Sequence, residues 1–399
     1  MAKSAFEKRV KRRVAARNHR FFAVCAPGLK RLCHREMTSL LPMFQELSLP
    51  LDEISMIPGG VEFTGTVESC RAANLLLRSP SRVIMRIGKF KAENFRTLKK
   101  TLSAFEWELY LQASAVVHCE VSTRNSRLYH KDAVAQRVHQ SIMDRFDKLL
   151  PHESVTAESA GQTVMVRGEN DRFEISLDSS GALLHKRGIR TCVGVAPLRE
   201  TIAFAILSAA GYSRELPLID GMCGSGSFSI EAAMMACNIP AGYFRRFAFE
   251  HWPCFNSLGW NYLKKKASEQ INYLKTPSIF AVDQDGTIAE ELERRVIEHG
   301  LASSVMVMTQ DFFDLRPEIL TKDKGIVILN PPYGKRIGSP DITRKMFRDI
   351  GSKLASDFKG WRAAIILPER NLMNSFPVSG SLIPIFHGGL ELHAAILDF

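Results

Sequence analysis

The chain has 399 residues, 45% hydrophobic and 24% charged, with 53 Lys and Arg against 42 Asp and Glu, a net charge of +11. That length allows two or three domains with a sizeable core, and no apolar run approaches the roughly 20 residues of a membrane-crossing helix. The eight cysteines, at 25, 33, 70, 119, 192, 223, 237 and 254, make no Cys-x-x-Cys pair and no zinc-like Cys/His spacing, so reduced thiols, no metal and a cytoplasmic location are expected.

The basic excess begins at the N-terminus. Residues 1–20 hold Lys3, Lys8, Arg9, Lys11, Arg12, Arg13, Arg17 and Arg20 against Glu7. The run reads as a disordered, solvated arm over 1–18, or as an arm lying along nucleic-acid phosphates. FFAVCA, which follows, is too short for the hydrophobic region of a secretory signal, roughly 7–15 residues. From there to residue 180 the pattern is α+β with small sheets. Strands are expected at FFAVCA, GGVEFTG (59–65), RVIMRIGKF (82–90) and SAVVHCEVST (114–123), with a closing hairpin of TVMVRGE and RFEISLDSS. Helices are expected at 28–41, 67–79, 97–111 and 132–150.

After about 190, strands and helices alternate. LPLID (216–220), SIFAVD (278–283), SVMVM (304–308), GIVILN (325–330) and RAAIILP (362–368) read as strands, and LIPIF with LELHAAILDF as a terminal hairpin. Thr287 and Glu290 have capping-box spacing at the head of a helix that Gly300 ends. Alternation of this kind predicts a mostly parallel sheet covered by helices on both faces, with one antiparallel strand from the hairpin. A segment at 238–276, rich in Phe and Trp (Phe244, Phe247, Phe249, Trp252, Phe255, Trp260), reads as packing with part available to line a cleft.

The loop DGMCGSGSF (220–228) joins the first strand of the alternating half to its helix. Gly224 and Gly226 permit a tight turn and close ligand approach, and the helix N-terminus adds free N–H groups. It is not a dinucleotide fingerprint: Ser229 occupies the third glycine position, and the next strand-end acid, Asp283, comes late. No Gly-Lys-Ser/Thr follows, and Asp220 would repel a pyrophosphate. S-adenosylmethionine suits this loop, with an ammonium, two ribose hydroxyls and an adenine amine. Asp283 can accept from the ribose and Asp311 from the adenine, with Phe312 packing on the ring. Each acid could instead be a helix cap, but three at successive strand ends lie on the edge where such sheets bind ligands. Cys223 has no His or second Cys placed near it to make it a nucleophile.

The strand 325–330 runs into Asn330, Pro331, Pro332 and Tyr333. A ring-attached amine is a poor nucleophile because its lone pair is drawn into the ring. The Asn330 side-chain carbonyl and the Pro331 backbone carbonyl can hold both amine hydrogens and aim the lone pair. The prolines stiffen the corner, and Tyr333 offers a stacking face worth about 1–3 kcal/mol. Lys335 and Arg336 are placed to hold flanking phosphates.

DGMCGSGSFSIEAA, AVDQD, TQDFFDL and ILNPPYGKRIG, in that order, resemble the S-adenosylmethionine-dependent RNA methyltransferases that carry a THUMP domain. More narrowly, the chain is similar to the guanine-N2 methyltransferase half of the large-subunit (23S) ribosomal RNA enzymes. The resemblance implies an α/β fold: a C-terminal Rossmann-like methyltransferase with a seven-stranded mostly parallel sheet, preceded by an α+β ferredoxin-like plus THUMP RNA-binding region. The boundaries it implies are a basic disordered arm (1–18), a ferredoxin-like segment (19–64), THUMP (65–180) and the methyltransferase domain (181–399). Carried over by position, the cofactor loop falls on Asp220, Cys223, Gly224 and Gly226, with Asp283, Asp311 and Phe312 beside it. The catalytic corner falls on Asn330, Pro331, Pro332 and Tyr333. Gly221 and Ser227 depart from the family's Pro and Thr, and Lys335 from a common acid.

RNA would be gripped by Arg124, Arg127, Lys131 and Arg137 in the front half, and by Lys186 and Arg187 at the junction. The expected partner is ribosomal RNA, or transfer RNA, without membrane or metal. Alternatives are a transfer-RNA guanine-N2 methyltransferase, an enzyme of the same mechanism that acts on adenine-N6 or on DNA, a nicotinamide dehydrogenase, and a non-catalytic RNA-binding assembly factor.

Overall fold

The computed structural model describes residues 4–149, 161–189, 197–332 and 340–399, which fall into two compact units. The first holds the N-terminal stretch to Cys25, Lys30–Leu184 and Arg245–Lys265; the second holds Ala26–Leu29, His185–Phe244 and Lys266–Phe399. The first unit thus includes a segment that chain order had assigned to 181–399. Its aromatic residues account for this: Phe247, Phe249, Trp252 and Trp260 are buried, and Trp252 Nε1 donates to Gln162 Oε1 at 3.1 Å. Arg245 donates to the carbonyls of Ser180 and Leu183 at 3.0 and 2.8 Å.

One seven-stranded sheet spans the first unit, where small sheets were expected. Its strands are β1 (His19–Val24), β2 (Leu51–Ile57), β3 (Gly60–Gly65), β4 (Arg82–Lys91), β5 (Val116–Arg124), β6 (Gly161–Glu169) and β7 (Arg172–Asp178), in the order β2-β3-β1-β4-β7-β6-β5. Antiparallel pairing of β1 with β4, Phe21 opposite Met85 and Ala23 opposite Val83, joins the strands into one sheet. Among the described residues of this unit, only β5 and β6 pair in parallel. Strand β2 has no apolar alternation and carries a bulge between Asp52 and Ser55, with Glu53 at φ 50°, as befits an edge.

The basic arm is folded over its described residues. Ser4 and Glu7 form a reciprocal capping box for the helix Ala5–Val10, whose wider continuation is Lys11–Ala15. Val10 and Val14 are 3% and 1% exposed. Arg9 contacts Glu106 and Glu108 at 2.6 and 2.8 Å, and Arg13 contacts Glu106 at 2.6 Å. A valine pair four residues apart was hidden inside a run of charge.

The second unit has strands β8 (Leu218–Asp220), β9 (Ile279–Asp283), β10 (Val305–Thr309), β11 (Ile326–Leu329), β12 (Arg362–Leu367), β13 (Gly380–His387) and β14 (Leu390–Asp398), in the order β10-β9-β8-β11-β12-β14-β13. The first five run parallel, and β14 is antiparallel to both neighbours, as the terminal hairpin predicts. Both faces are covered. Ile326 and Ile328 pack with Phe228 and Leu292 on one side; Val327 and Leu329 pack with Phe347 and Phe358 on the other. The helix after β9 begins at Gly286, earlier than the capping-box spacing implied. Asp285 is its cap, accepting from Thr287 N at 3.0 Å and Ile288 N at 3.3 Å.

Because Val14 is packed, Val14→Ala is expected to lower the free energy of unfolding by about 1–3 kcal/mol in a urea titration. Lys8→Ala should leave it within about 0.5 kcal/mol. A disordered arm would leave both unchanged.

Candidate active site

The order of the second sheet reverses between β8 and β11, and loops leaving such neighbours diverge to open a cleft. Asp220 ends β8 opposite Ile328 of β11, and Gly221 N donates to Ile328 O at 3.1 Å. Cys223 N then donates to Val282 O at 2.9 Å, tying the loop to β9. Gly226 has φ +74°, and a Cβ there would lie 2.3 Å from Leu292 Cδ1, so glycine is required twice over. Gly224, at φ +50°, faces open space where a Cβ would sit. At Gly221 a Cβ would lie 2.6 Å from the Phe312 ring, so a larger residue there would require that ring to move.

A cavity of about 370 Å³ opens here, lined by Gly221 to Ser225, Asp283, Asp311, Phe312, Asn330 and Pro332. It brings together the glycine loop, two of the three strand-end acids and the Asn-Pro corner. Asp283 accepts from Gly224 N at 2.8 Å and Asp285 N at 3.0 Å, so it shapes the loop as well as facing the cavity. Asp311 caps the short turn Phe312–Asp314 through Phe313 N at 2.9 Å. Phe312 is buried, its ring stacked on Phe358 at 5.8 Å, and forms a fixed wall. Asn330 Oδ1 is buried and, among the described residues, has no hydrogen-bond partner. Pro331 is buried and Pro332 exposed. Tyr333, Lys335 and Arg336 lie outside the described residues.

Two expectations need correction. Asp220 is fully buried and braces the loop instead of lining the cavity. Its Oδ2 accepts from Ser229 N at 3.1 Å and Ser229 Oγ at 2.6 Å, and Oδ1 has no partner. Burial pushes this carboxyl up to about 7, against the bonds from Ser229. Arg187 is not a surface grip for RNA. It is 1% exposed and donates through Nε and Nη2 to Glu231, 0% exposed, at 3.1 and 3.0 Å. Cys223 lines the cavity, but burial holds its thiol well above the usual range, which does not suit a nucleophile. Arg124, Arg127, Lys131, Arg137 and Lys186 are exposed.

The sequence reading missed Phe313, Gln284, Ser225 and Met346 as lining residues. Gln284 and Phe313 each follow a residue that was identified, so adjacency was the available signal. Met346 sits on the helix Pro340–Asp357 and reads like any core position.

An S-adenosylmethionine-sized ligand fits this donor set. The cavity falls within the roughly 300–1,000 Å³ of small-molecule sites, two carboxylates face it for hydroxyl and amine donors, and the backbone is bare at Gly224. Among the described residues, no group of three His, Cys, Asp or Glu could hold a metal ion, and no helix is long and apolar enough to cross a membrane.

Comparison with known proteins gives the same picture. Residues 187–380 match the model of the RMKL-like methyltransferase domain, and residues 20–84 that of the RlmL ferredoxin-like domain, which runs past the boundary expected at 64. The chain is 30% identical over 375 residues to "Putative RNA methyltransferase slr0064" of Synechocystis, covering 93% of this chain and 94% of that protein. It is 31% identical over 390 residues to the ribosomal RNA large subunit methyltransferase K/L of Methylococcus capsulatus, covering 95% of this chain and 51% of the relative. The chain therefore spans about half the length of such K/L proteins. The crystal structure of SMU.472, "a putative methyltransferase complexed with SAH", superposes with a TM-score of 0.82 at 25% identity, covering 96% of this chain and 98% of that one. So does a "predicted N6-adenine-specific DNA methylase" of Listeria monocytogenes, at 25% identity and a TM-score of 0.82 over 99% of this chain and 98% of that one.

Two outcomes follow from the buried charges. Arg187→Ala strands Glu231 and should destabilise by about 3–5 kcal/mol in urea unfolding, with Arg187→Lys recovering only part because an ammonium lacks the guanidinium fork; a loss under about 1 kcal/mol would contradict the pairing. Asp220 binds a proton more tightly folded than unfolded, so its contribution to stability is full below pH about 4 and is lost as pH rises to about 7. Asp220→Asn should therefore gain stability relative to the wild type across that window, by up to about 4 kcal/mol. A flat difference between the two proteins would show that Asp220 is ionised throughout.

Proposed function

The chain belongs to the RMKL-like methyltransferase family and uses S-adenosylmethionine; on that premise we propose that it methylates the exocyclic N2 of a guanine in RNA, with 23S ribosomal RNA as substrate. The relatives named as large-subunit ribosomal RNA methyltransferases support the RNA assignment. The single observation that carries the chemistry is the buried, unpartnered Oδ1 of Asn330 beside the glycine loop. A buried acceptor without a donor is costly, and an amine hydrogen of the target base would satisfy it.

Asn330 Oδ1 takes one amine hydrogen and the Pro331 carbonyl the other. The nitrogen lone pair is thereby turned out of conjugation and toward the cofactor pocket, where S-adenosylmethionine supplies an electrophilic methyl group. The nitrogen would gain positive charge as it takes the methyl and the methyl–sulfur bond breaks, and its proton would then pass to water, so no strong base is needed beforehand. The chain contributes position and oriented dipoles. Asp283 and Asp311 hold ribose and adenine, Gly224 lets the cofactor approach the backbone, and Phe312 closes the wall. The base reaches the pocket unpaired or flipped out. Residues 65–180 act as the THUMP RNA-binding segment, in a cytoplasmic protein.

Adenine-N6 is the second reading, favoured by the likeness to the Listeria protein and by a corner that suits any ring-attached amine. Incubating the protein with ribosomal and transfer RNA and digesting to nucleosides for mass spectrometry should yield N2-methylguanosine; N6-methyladenosine would replace the first reading by the second. Asn330→Ala should cut kcat by about 10²–10³, in the range for loss of one oriented polar group. Its affinity for S-adenosylhomocysteine, read by calorimetry, should stay within about threefold. Undiminished turnover would remove Asn330 from the chemistry.

A further inference from the structure

The front sheet has one face buried and one open. Along β6 and β7, Val164, Val166, Phe173 and Ile175 point into the core, so Arg167, Glu169, Arg172 and Glu174 stand on the other face. The register lines these up in two rows. Lys91 lies opposite Arg172, Arg172 opposite Glu169, and Glu169 opposite Arg124; two residues inward, Lys89 lies opposite Glu174, Glu174 opposite Arg167, and Arg167 opposite Ser122. The eight positions carry five cations (Lys91, Arg172, Arg124, Lys89, Arg167) and two carboxylates (Glu169, Glu174), a balance of +3. A concavity of about 580 Å³ lies over six of them, Lys89, Lys91, Arg167, Glu169, Arg172 and Glu174, with Arg124 beside it on the next strand.

The carboxylates neutralise only part of the array. Glu174 is engaged from outside it by Arg20 and Arg86, Glu169 takes Arg167, and Glu93 takes Lys91 at 2.6 Å. Among the described residues, Lys89, Arg124 and Arg172 have no ion-pair partner. At the end of the array the backbone is held. Ala92 N donates to Asp171 O at 2.9 Å, Asn170 N to Arg124 O at 3.2 Å, and Arg127 N to Asp171 Oδ1 at 2.7 Å. Strand spacing places Lys91 and Arg124 about 14 Å apart, across three gaps, so the cations form a broad rigid plate instead of a single-ion pocket.

We propose that this two-row face of β4, β7, β6 and β5 is the surface on which the RNA sugar-phosphate backbone docks, with Lys89, Arg124 and Arg172 each taking a phosphate. It rests on the reading of the substrate as RNA and adds where that RNA is held. A wide array of like charge on a rigid support raises the local potential for a polyanion, and contacts to phosphate position the chain without reading sequence.

The test is RNA binding by the full chain as a function of salt, using a fragment of 23S ribosomal RNA. A triple Lys89→Ala, Arg124→Ala, Arg172→Ala variant should lower the slope of log K against log salt by about 2–3, at 0.7–0.9 per lost phosphate contact, and weaken binding at least about tenfold near 0.1 M salt. A charge-matched control, Lys30→Ala, Arg31→Ala, Arg35→Ala, removes three exposed cations from a helix of the same unit and should keep the wild-type slope. A charge-retaining triple (K89R, R124K, R172K) should also keep it. Unaltered S-adenosylhomocysteine affinity and unfolding midpoint would certify each variant as folded. If the wild type binds RNA and the first triple matches it, or the control loses as much, the docking surface is wrong and the RNA reading stands. If the wild type neither binds nor methylates RNA, both fall.

Discussion

Parallel pairing of β8 with β11 is the constraint on which the site depends. These strands are distant in sequence, yet Asp220 lies opposite Ile328 and Gly221 donates to the Ile328 carbonyl. Strands β9 and β10 extend the sheet on one side and β12, β14 and β13 on the other, so the loops after β8 and β11 part where the order of the parallel strands reverses. Neighbouring strands stand about 4.8 Å apart, so a ligand on the glycine loop and a base at the Asn-Pro corner are held close by the sheet itself. The remaining contacts keep those loops from relaxing: Leu292 fills the space beside Gly226, Phe312 that beside Gly221, and Asp283 holds the amide of Gly224.

Asp220 and Asn330 follow the ends of those paired strands, and they show why an amide suits the corner. Burial drives the Asp220 carboxyl up to about 7 even with two donors from Ser229. A carboxyl at 330, in the same sheet edge and without a donor, would face the same desolvation with less relief. It would spend part of its time protonated, presenting a donor where an acceptor is wanted. The amide of Asn330 accepts at every pH and brings no charge that must be paired. Asp220 has another task, bracing the first turn of Ser227–Ala236, whose cap position, Gly226, has no side chain to do so.

The second unit was legible in the sequence because buried parallel strands read as short apolar runs, three of them closed by Asp220, Asp283 and Asn330, and each of the five occurs where such a run stands. The loop and the corner were legible because their residue types are unusual. What was hidden depends on partners far along the chain. Strand β2 is a polar edge visible only through its pairing with β3. The single front sheet follows from β1 meeting β4, which no local pattern announces. Arg187 looked like part of a basic surface run, and only the buried Glu231, forty-four residues on, turns it inward. Asp285 displaced Thr287 as a cap because both patterns fit and the observed helix starts at the earlier one.

Basic residues are therefore not equivalent witnesses to an RNA partner. A net charge of +11 counts Arg9 and Arg13, held by Glu106, and Arg187, sealed against Glu231, alongside Lys89, Arg124 and Arg172. The first three are committed to folding, each held against a carboxylate of the same unit. The last three share a sheet face, in register, over a backbone that cannot spread them apart. Surface potential is set by that difference, since a paired cation projects little field beyond its carboxylate while unpaired like charges add. In a basic chain the informative quantity is which cations lack a carboxylate and which strand register brings them together. By that measure the front sheet's open face, rather than the basic N-terminal run, carries the polyanion signal.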